Sequence, residues 1–197
     1  GKFCAGPRDV RNRGRRGDSA DIPVVGGSWI EELVKLGKIV PGSRFGLMTS
    51  VLGVAVRTGA PKPDISSGGA LKQALLSAKS IGYSTGPSGV YLDGLFQRMG
   101  IADELKPKLK QPPSGGSVGE VVAKGEAEIG FQQVSEFIHV AGIDFLGPLP
   151  PDIQQITVFS SGIHVTTKDP SAANAFTTFL SSPIAAPVIK KNGMEPI

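Results

Sequence analysis

Two stretches of small hydroxyl and glycine residues stand directly before helical sequence: Ser84-Thr85-Gly86-Pro87-Ser88-Gly89 and, further along, Ser114-Gly115-Gly116-Ser117-Val118. Glycine lets a backbone approach a ligand closely, and Pro87 sits where a starting helix has no use for the missing N–H. The first-turn amides of each helix are left without intrahelical acceptors and lie at the positive end of the helix dipole, an arrangement that suits an anion. Gly86, Ser88, Gly89, Val90 and Tyr91 from the first stretch, and Ser117 and Val118 from the second, are therefore candidate ligand residues. Gln132, Gln133 and Ser135 follow a predicted strand and would add neutral hydrogen bonds. An ordinary strand-to-helix turn, or a solvated loop amide, is the competing reading of each piece taken alone. The spacing is neither a P-loop, since no Lys follows the glycines, nor G-x-G-x-x-G.

Covalent and acid–base chemistry finds little support. There is no G-x-S-x-G and no Ser, His and Asp set resembling a triad, so no catalytic residue is assigned. The single Cys4 and the two histidines offer no metal-ligand spacing, and neither a metal nor a cofactor is expected. His139 lies among Phe137, Ile138 and Val140 and reads as packed or capping; His164 falls in an alternating apolar stretch and reads as exposed on its polar face. The carboxylates from Asp93 to Glu136 sit mostly on predicted helix faces, where solvation is the default.

The elements that must position these residues alternate. Short strands are predicted around Ile22–Val25, within Phe45–Arg57, at Ser80–Ser84, at Glu128–Gln132, at Ile156–Phe159 and at His164–Thr167. Helices are predicted from a Ser28/Glu31 capping box through WIEELVKLG, from a Ser66-Ser67 cap to Ala78, from Val90 to Met99, over 102–109, over Val118–Lys124, from an Asp169 cap to Leu180, and from Ser182-Pro183 to Asn192. Val134–Val140 is weakly helical and Asp144–Leu146 extended. Repeated strand-then-helix order predicts an α/β protein with mostly parallel sheet, in which ligands sit beyond the carboxyl ends of strands.

With 197 residues, 40% hydrophobic and 19% charged, the chain can bury a core in one domain or two small lobes. Its 27 Gly and 16 Pro argue against a coiled coil or helical bundle. The net charge of +4 is concentrated in the arginines of residues 8–16. With one Trp and two Tyr, the chain gives no reason to expect nucleic acid as a partner. Residues 1–19 read as a basic, poorly ordered arm, in which Arg16-Gly17-Asp18 matches an integrin-type triplet by letters only. No apolar run approaches the roughly 18 residues of a membrane span, and there is no signal-peptide pattern, so any export signal is expected to have been removed or never present.

The run AKSIGYSTGPSGVYLDGLFQRMGI, followed by VGEVVAKGEAEIGFQQVSE and ITVFSSGIHVTTKDPSAANAFTTFLSSPIAAPVIKKNGMEP, resembles the periplasmic solute-binding proteins of the molybdate-binding type. Upstream, Ala20-Asp21-Ile22 and WIEELVKLGKIVPGSR are similar to the segment after that family's Ala-Asp-Val strand, so the likeness covers about residues 20–197.

The resemblance implies a two-lobed, type 2 periplasmic-binding fold, closing over an anion without changing it. One lobe would be 80–155, the other 20–79 with the return at 156–197. It implies a small anionic ligand, the membrane permease of an ABC transporter as partner, a periplasmic location and a monomer. Ser88, Val118 and Gln133 fall on three positions that line the anion in the family. Two departures stand out. The family's opening strand and Ser-rich loops have no counterpart before Ala20, so the first lobe is expected to be incomplete. Gln133 also stands where molybdate binders place a tyrosine, which leaves room for an organic carboxylate. The family is similar, too, to a small set of isomerases of unsaturated tricarboxylates. That is the enzyme alternative, with Tyr91 or His139 as the groups in reach.

Overall fold

The computed structural model describes residues 13, 16, 18, 20–26, 28–113 and 116–197. The readings made of the rest of the 1–19 arm, of the expected break at Gly27 and of Ser114 and Gly115 lie outside the described residues. In chain order the elements are β1 (Val24–Gly26), α1 (Trp29–Lys35), β2 (Phe45–Arg57), α2 (Gly68–Ser77), β3 (Ile81–Tyr83), α3 (Pro87–Arg98) and α4 (Ala102–Leu105). A 3-10 turn at Lys106–Lys108 leads to β4 (Leu109–Lys110), α5 (Val118–Ala123), β5 (Ile129–Gln133), α6 (Val134–Phe137) and β6 (Ile143–Pro148). After a second 3-10 turn, Pro151–Ile153, come β7 (Ile156–Ser161), α7 (Pro170–Leu180), α8 (Ala186–Lys191) and β8 (Glu195–Pro196). None of the described helices is long and apolar enough to cross a membrane.

The chain groups into two compact units, one comprising the described residues up to Ser50 with Thr157–Ile197, the other Val51–Ile156. The sequence reading draws the boundary after residue 79. By compactness it falls inside β2, because Leu71 and Leu75 of α2 are buried against Leu92 and Phe96 of α3 and Ile81 of β3, all in the second unit.

In the first unit β1 runs antiparallel to β7, with Val24 opposite Ser161, and β8 pairs antiparallel with the first half of β2, Met48 opposite Pro196. Val25, Trp29, Ile30, Leu33 and Ile39 bury α1 against β1. The expected capping box does not form. Ser28 is already helical at φ −75°, ψ −1° and its side chain caps nothing, whereas an N-cap hydroxyl needs extended backbone to reach the following amides. Glu31 is ion-paired with Arg44 instead. The caps at Ser67 and Asp169 do form, the first accepting from the Ala70 amide at 3.1 Å and the second from Ala172 at 2.9 Å. His164–Thr167 is not a strand. His164 makes one isolated bridge to Ile39, and the Thr167 amide turns back to the His164 carbonyl at 3.0 Å.

The second unit carries the sheet order β6, β2, β5, β3, β4. The α/β class holds, but the expectation of a mostly parallel sheet is corrected to a mixed one. β3 lies parallel to β4 and β5, as strand–helix–strand connections require, whereas β2 runs antiparallel to both β5 and β6. In β3 and β5 a glycine alternates with large apolar residues. Ile81, Tyr83, Ile129 and Phe131 join the core formed with α2 and α3, and Gly82 and Gly130 face α5 on the other side. A Cβ on Gly130 would stand 2.4 Å from a Val122 methyl, so glycine there is what lets α5 lie close on the sheet. Each fully buried Phe of this core, Phe96 and Phe131 among them, contributes about 1.5–3 kcal/mol.

Candidate functional site

β3 and β5 are parallel neighbours with Tyr83 beside Phe131. Ser84 on one strand, and Gln132 and Gln133 on the other, therefore share the carboxyl edge of this pair, where open α/β sheets bind ligands. Helix α3 starts there at Pro87, earlier than the expected Val90, because Pro87 at the first helical position already has the required φ. Its first i to i−4 bond runs from the Val90 amide to the Gly86 carbonyl at 3.1 Å, so the amides of Ser88 and Gly89 precede the intrahelical ladder.

The turn is held by a serine that the sequence reading did not single out. Ser84 Oγ and Ser88 Oγ are 2.7 Å apart, the Gly86 amide donates to Ser84 Oγ at 3.2 Å, and Gln111 Nε2 donates to the Ser84 carbonyl at 3.3 Å. Ser88 is buried. Gly89 packs so tightly that a Cβ would stand 1.8 Å from the Ser84 carbonyl oxygen, a position only glycine can occupy. The spacing of Ser84 and Ser88 across a glycine turn is the signal that would have found this pair.

On the β5 side Gln132 and Gln133 are both buried. Gln132 Oε1 accepts from the Val118 amide at 2.9 Å, and Ser117 caps the same helix, its Oγ accepting from the Glu120 amide at 3.3 Å. Gln133 is the N-cap of α6. Glu136, in the first turn of α6, accepts hydrogen bonds from the Gln132 side chain and the Gln133 backbone. Glu136 is an exposed residue, and the protein around it raises its carboxyl above the ordinary carboxylate value, desolvation outweighing the two hydrogen bonds. Gln132 thus bridges the start of α5 to Glu136.

The structure brings Gly86, Ser88, Gly89, Gln132 and Gln133 to this edge with α3 and α5, and it engages several expected donors elsewhere. The Val118 amide serves Gln132, and the Val90 amide serves the helix while its side chain is 64% exposed. The Tyr91 hydroxyl donates to the Ile153 carbonyl at 2.7 Å, and Arg98 lies 5.2 Å over its ring. Ser135 is half-buried on α6. His139 is exposed, whereas His164 is fully buried in the first unit, not exposed as expected, with Nδ1 2.7 Å from Thr166 Oγ1. Among the described residues no His, Cys, Asp and Glu group is arranged to hold a metal. A groove beside β4, lined by residues from Leu109 to Pro113 with Val121 and Glu126, takes in none of the candidates.

The sequence matches the family described as bacterial extracellular solute-binding protein over residues 3–195. It is 41% identical over 192 residues to the aconitate isomerase of a Pseudomonas species, covering 97% of this chain and 73% of that one. It is 30% identical over 171 residues to the molybdate-binding protein of Azotobacter vinelandii, covering 83% of this chain and 65% of that one, so the chain spans just under two thirds of that relative. The solved structure of the Azotobacter vinelandii periplasmic molybdate-binding protein superposes with a TM-score of 0.78 at 22% identity, covering 96% of this chain and 84% of the other; this likeness speaks for the fold. The fold, the ordered motifs and these relatives agree: the chain belongs to the bacterial extracellular solute-binding proteins, in the type 2 fold shared with the molybdate-binding members.

Proposed function

We propose that the edge formed by Ser88, Gly89, Gln132 and Gln133 binds a small unsaturated tricarboxylate of the aconitate type, and that the protein interconverts its isomers. The observation that carries this reading is the 41% identity to an aconitate isomerase across 97% of the chain. The chemistry of the edge supports it. A serine hydroxyl, two buried carboxamides and the first-turn amides of α3 are neutral donors that suit carboxylate oxygens. Gln133 standing where molybdate binders place a tyrosine points the same way. The reaction needs one proton to leave the methylene carbon and one to be added at the far carbon of the double bond, two bonds away, so a general acid–base group has to be in reach.

A second reading is favoured by the family itself and by the molybdate-binding relatives. In it the protein is a monomeric, periplasmic receptor that captures a metal oxyanion and delivers it to the membrane permease of an ABC transporter. Two lobes would close on the anion through differential binding to the closed form.

Thermal unfolding against molybdate, tungstate, sulfate, citrate and both aconitate isomers separates the two. A ligand at about 100 times its Kd stabilises the fold by about 2.7 kcal/mol. A shift with aconitate, together with conversion of one isomer into the other followed by proton NMR, is the expected result. A shift with molybdate and tungstate alone would overturn the isomerase reading in favour of the receptor.

A further inference from the structure

The isomerase reading requires an acid–base group; of the two first considered, Tyr91 is engaged elsewhere, and His139 is an exposed residue beyond the end of α6. The Tyr91 hydroxyl is bonded to the Ile153 carbonyl, and Tyr83, buried near Asp93, is pushed up to about 12 and so stays protonated. Four carboxylates of the second unit have structural partners: Asp103 pairs with Lys106, Asp144 with Lys62, Asp152 accepts from the Gly68 amide and Glu128 from the Lys79 amide. Glu136 differs. It reaches solvent, its hydrogen bonds come from the Gln132 side chain and the Gln133 backbone, and both of those residues belong to the proposed ligand edge.

We propose that Glu136 is the acid–base group of the tricarboxylate isomerisation, an inference that rests on the isomerase reading above. The ionised carboxylate takes a proton from the substrate methylene carbon. The electron pair of that C–H bond becomes the new C=C, and the pair of the old C=C takes the proton back from the protonated Glu136 at the former vinylic carbon. One C–H bond breaks and one forms, the double bond moves by one position, and nothing is oxidised or reduced. Desolvation holds the carboxyl above the ordinary carboxylate value, which makes it a stronger base once ionised and readier to hold the proton between the two steps. Gln132 positions it: with Oε1 committed to the Val118 amide, its Nε2 is the end turned to Glu136.

The competing role for Glu136 is structural, the third helical residue of α6 reaching back to the N-cap amide. Glutamine fills that role as well as glutamate does, which makes Glu136→Gln a discriminating variant. The full chain is incubated with trans-aconitate in D2O, and both isomer conversion and deuterium uptake at the methylene carbon are followed by proton NMR. E136Q is expected to slow both by about 100-fold to 10,000-fold, while its thermal unfolding midpoint and its stabilisation by aconitate stay close to those of the unaltered protein. E136D, a carboxylate on a shorter stem, is expected to recover part of the rate. Turnover by E136Q within threefold of the unaltered protein overturns the role of Glu136 and leaves the isomerase reading standing. An unaltered protein that neither converts aconitate nor exchanges its protons overturns both.

Discussion

Gln132 Oε1 accepts the Val118 amide proton at 2.9 Å inside the second unit, joining the end of one strand to the start of the helix packed over it. A helix N-terminus ordinarily leaves such an amide to water or to a ligand. Here a buried side chain takes it, and Ser117 satisfies the Glu120 amide in the same turn. Replacing Gln132 by Leu strands the Val118 amide in a buried setting. The expected loss is about 1–3 kcal/mol, read from the urea midpoint. Q132E keeps an acceptor for Val118 but places a carboxylate against Glu136, and should raise the Glu136 pKa further.

Gly89 sets the geometry of the first turn. Gly89→Ala puts a Cβ 1.8 Å from the Ser84 carbonyl oxygen, and backbone cannot yield as a flexible side chain does. A destabilisation of about 1–3 kcal/mol or more is expected, with loss of ligand-induced stabilisation as the Ser84–Ser88 pair is pushed apart. Gly86→Ala is the control. Its backbone is at φ −85° and a Cβ would lie 3.6 Å from Ser84 Oγ, an ordinary contact, so about 1 kcal/mol or less should be lost.

Gln154 makes a side-chain substitute for a strand partner. Its Oε1 accepts from the Leu52 amide at 3.0 Å and from the Gln155 amide at 2.9 Å, and its Nε2 donates to the carbonyls of Leu52 at 3.0 Å and Leu149 at 3.2 Å. Leu52 is also the strand partner of Gln133. Q154L should therefore raise hydrogen exchange at the Leu52 and Gln155 amides while leaving Ile129, in the middle of the sheet, near its original protection. Equal protection at all three sites would show that Gln154 is dispensable to this strand.

His164 gives the first unit a pH dependence of known sign. The Thr166 amide donates to Nδ1 at 3.3 Å, so the proton sits on Nε2, which is buried with no hydrogen-bond partner. Burial first, and Lys38 second, hold the imidazole below its ordinary 6.5. The unfolded chain thus binds the proton more tightly. Stability from this residue is complete above pH 6.5, falls as pH drops through that value, and levels off below the folded pKa. Urea midpoints at pH 7.5 and 5.5 should differ less in H164Q than in the unaltered protein, and equal slopes in the two would count against this account.

Tyr91→Phe removes only the hydroxyl bonded to Ile153. It should cost about 1 kcal/mol of stability and leave any aconitate-induced shift unchanged, as expected of a residue that ties α3 to the 3-10 turn rather than to the ligand.

Local pattern alone determined much of this protein. Apolar runs bounded by Gly and Pro located β2, β3 and β5 to within a residue or two, and the hydroxyl or carboxylate caps at Ser67 and Asp169 opened their helices because the amides they serve lie three residues away in sequence. The glycine turn before α3 marked the edge proposed for the ligand for the same reason. Tertiary structure decided what depends on partners distant in sequence. β2 runs antiparallel between β5 and β6, a pairing that strand–helix alternation does not encode, and the two-residue strands β4 and β8 exist only through their neighbours. The fate of each polar group at the edge was settled in the same way. Val118 gives its amide to Gln132 and Tyr91 its hydroxyl to Ile153, while Glu136, read from sequence as one solvated carboxylate among several, is exposed as expected and in addition accepts from the glutamines of β5. A hydrogen bond is satisfied by whichever acceptor the fold brings near, and periodicity carries no record of that choice.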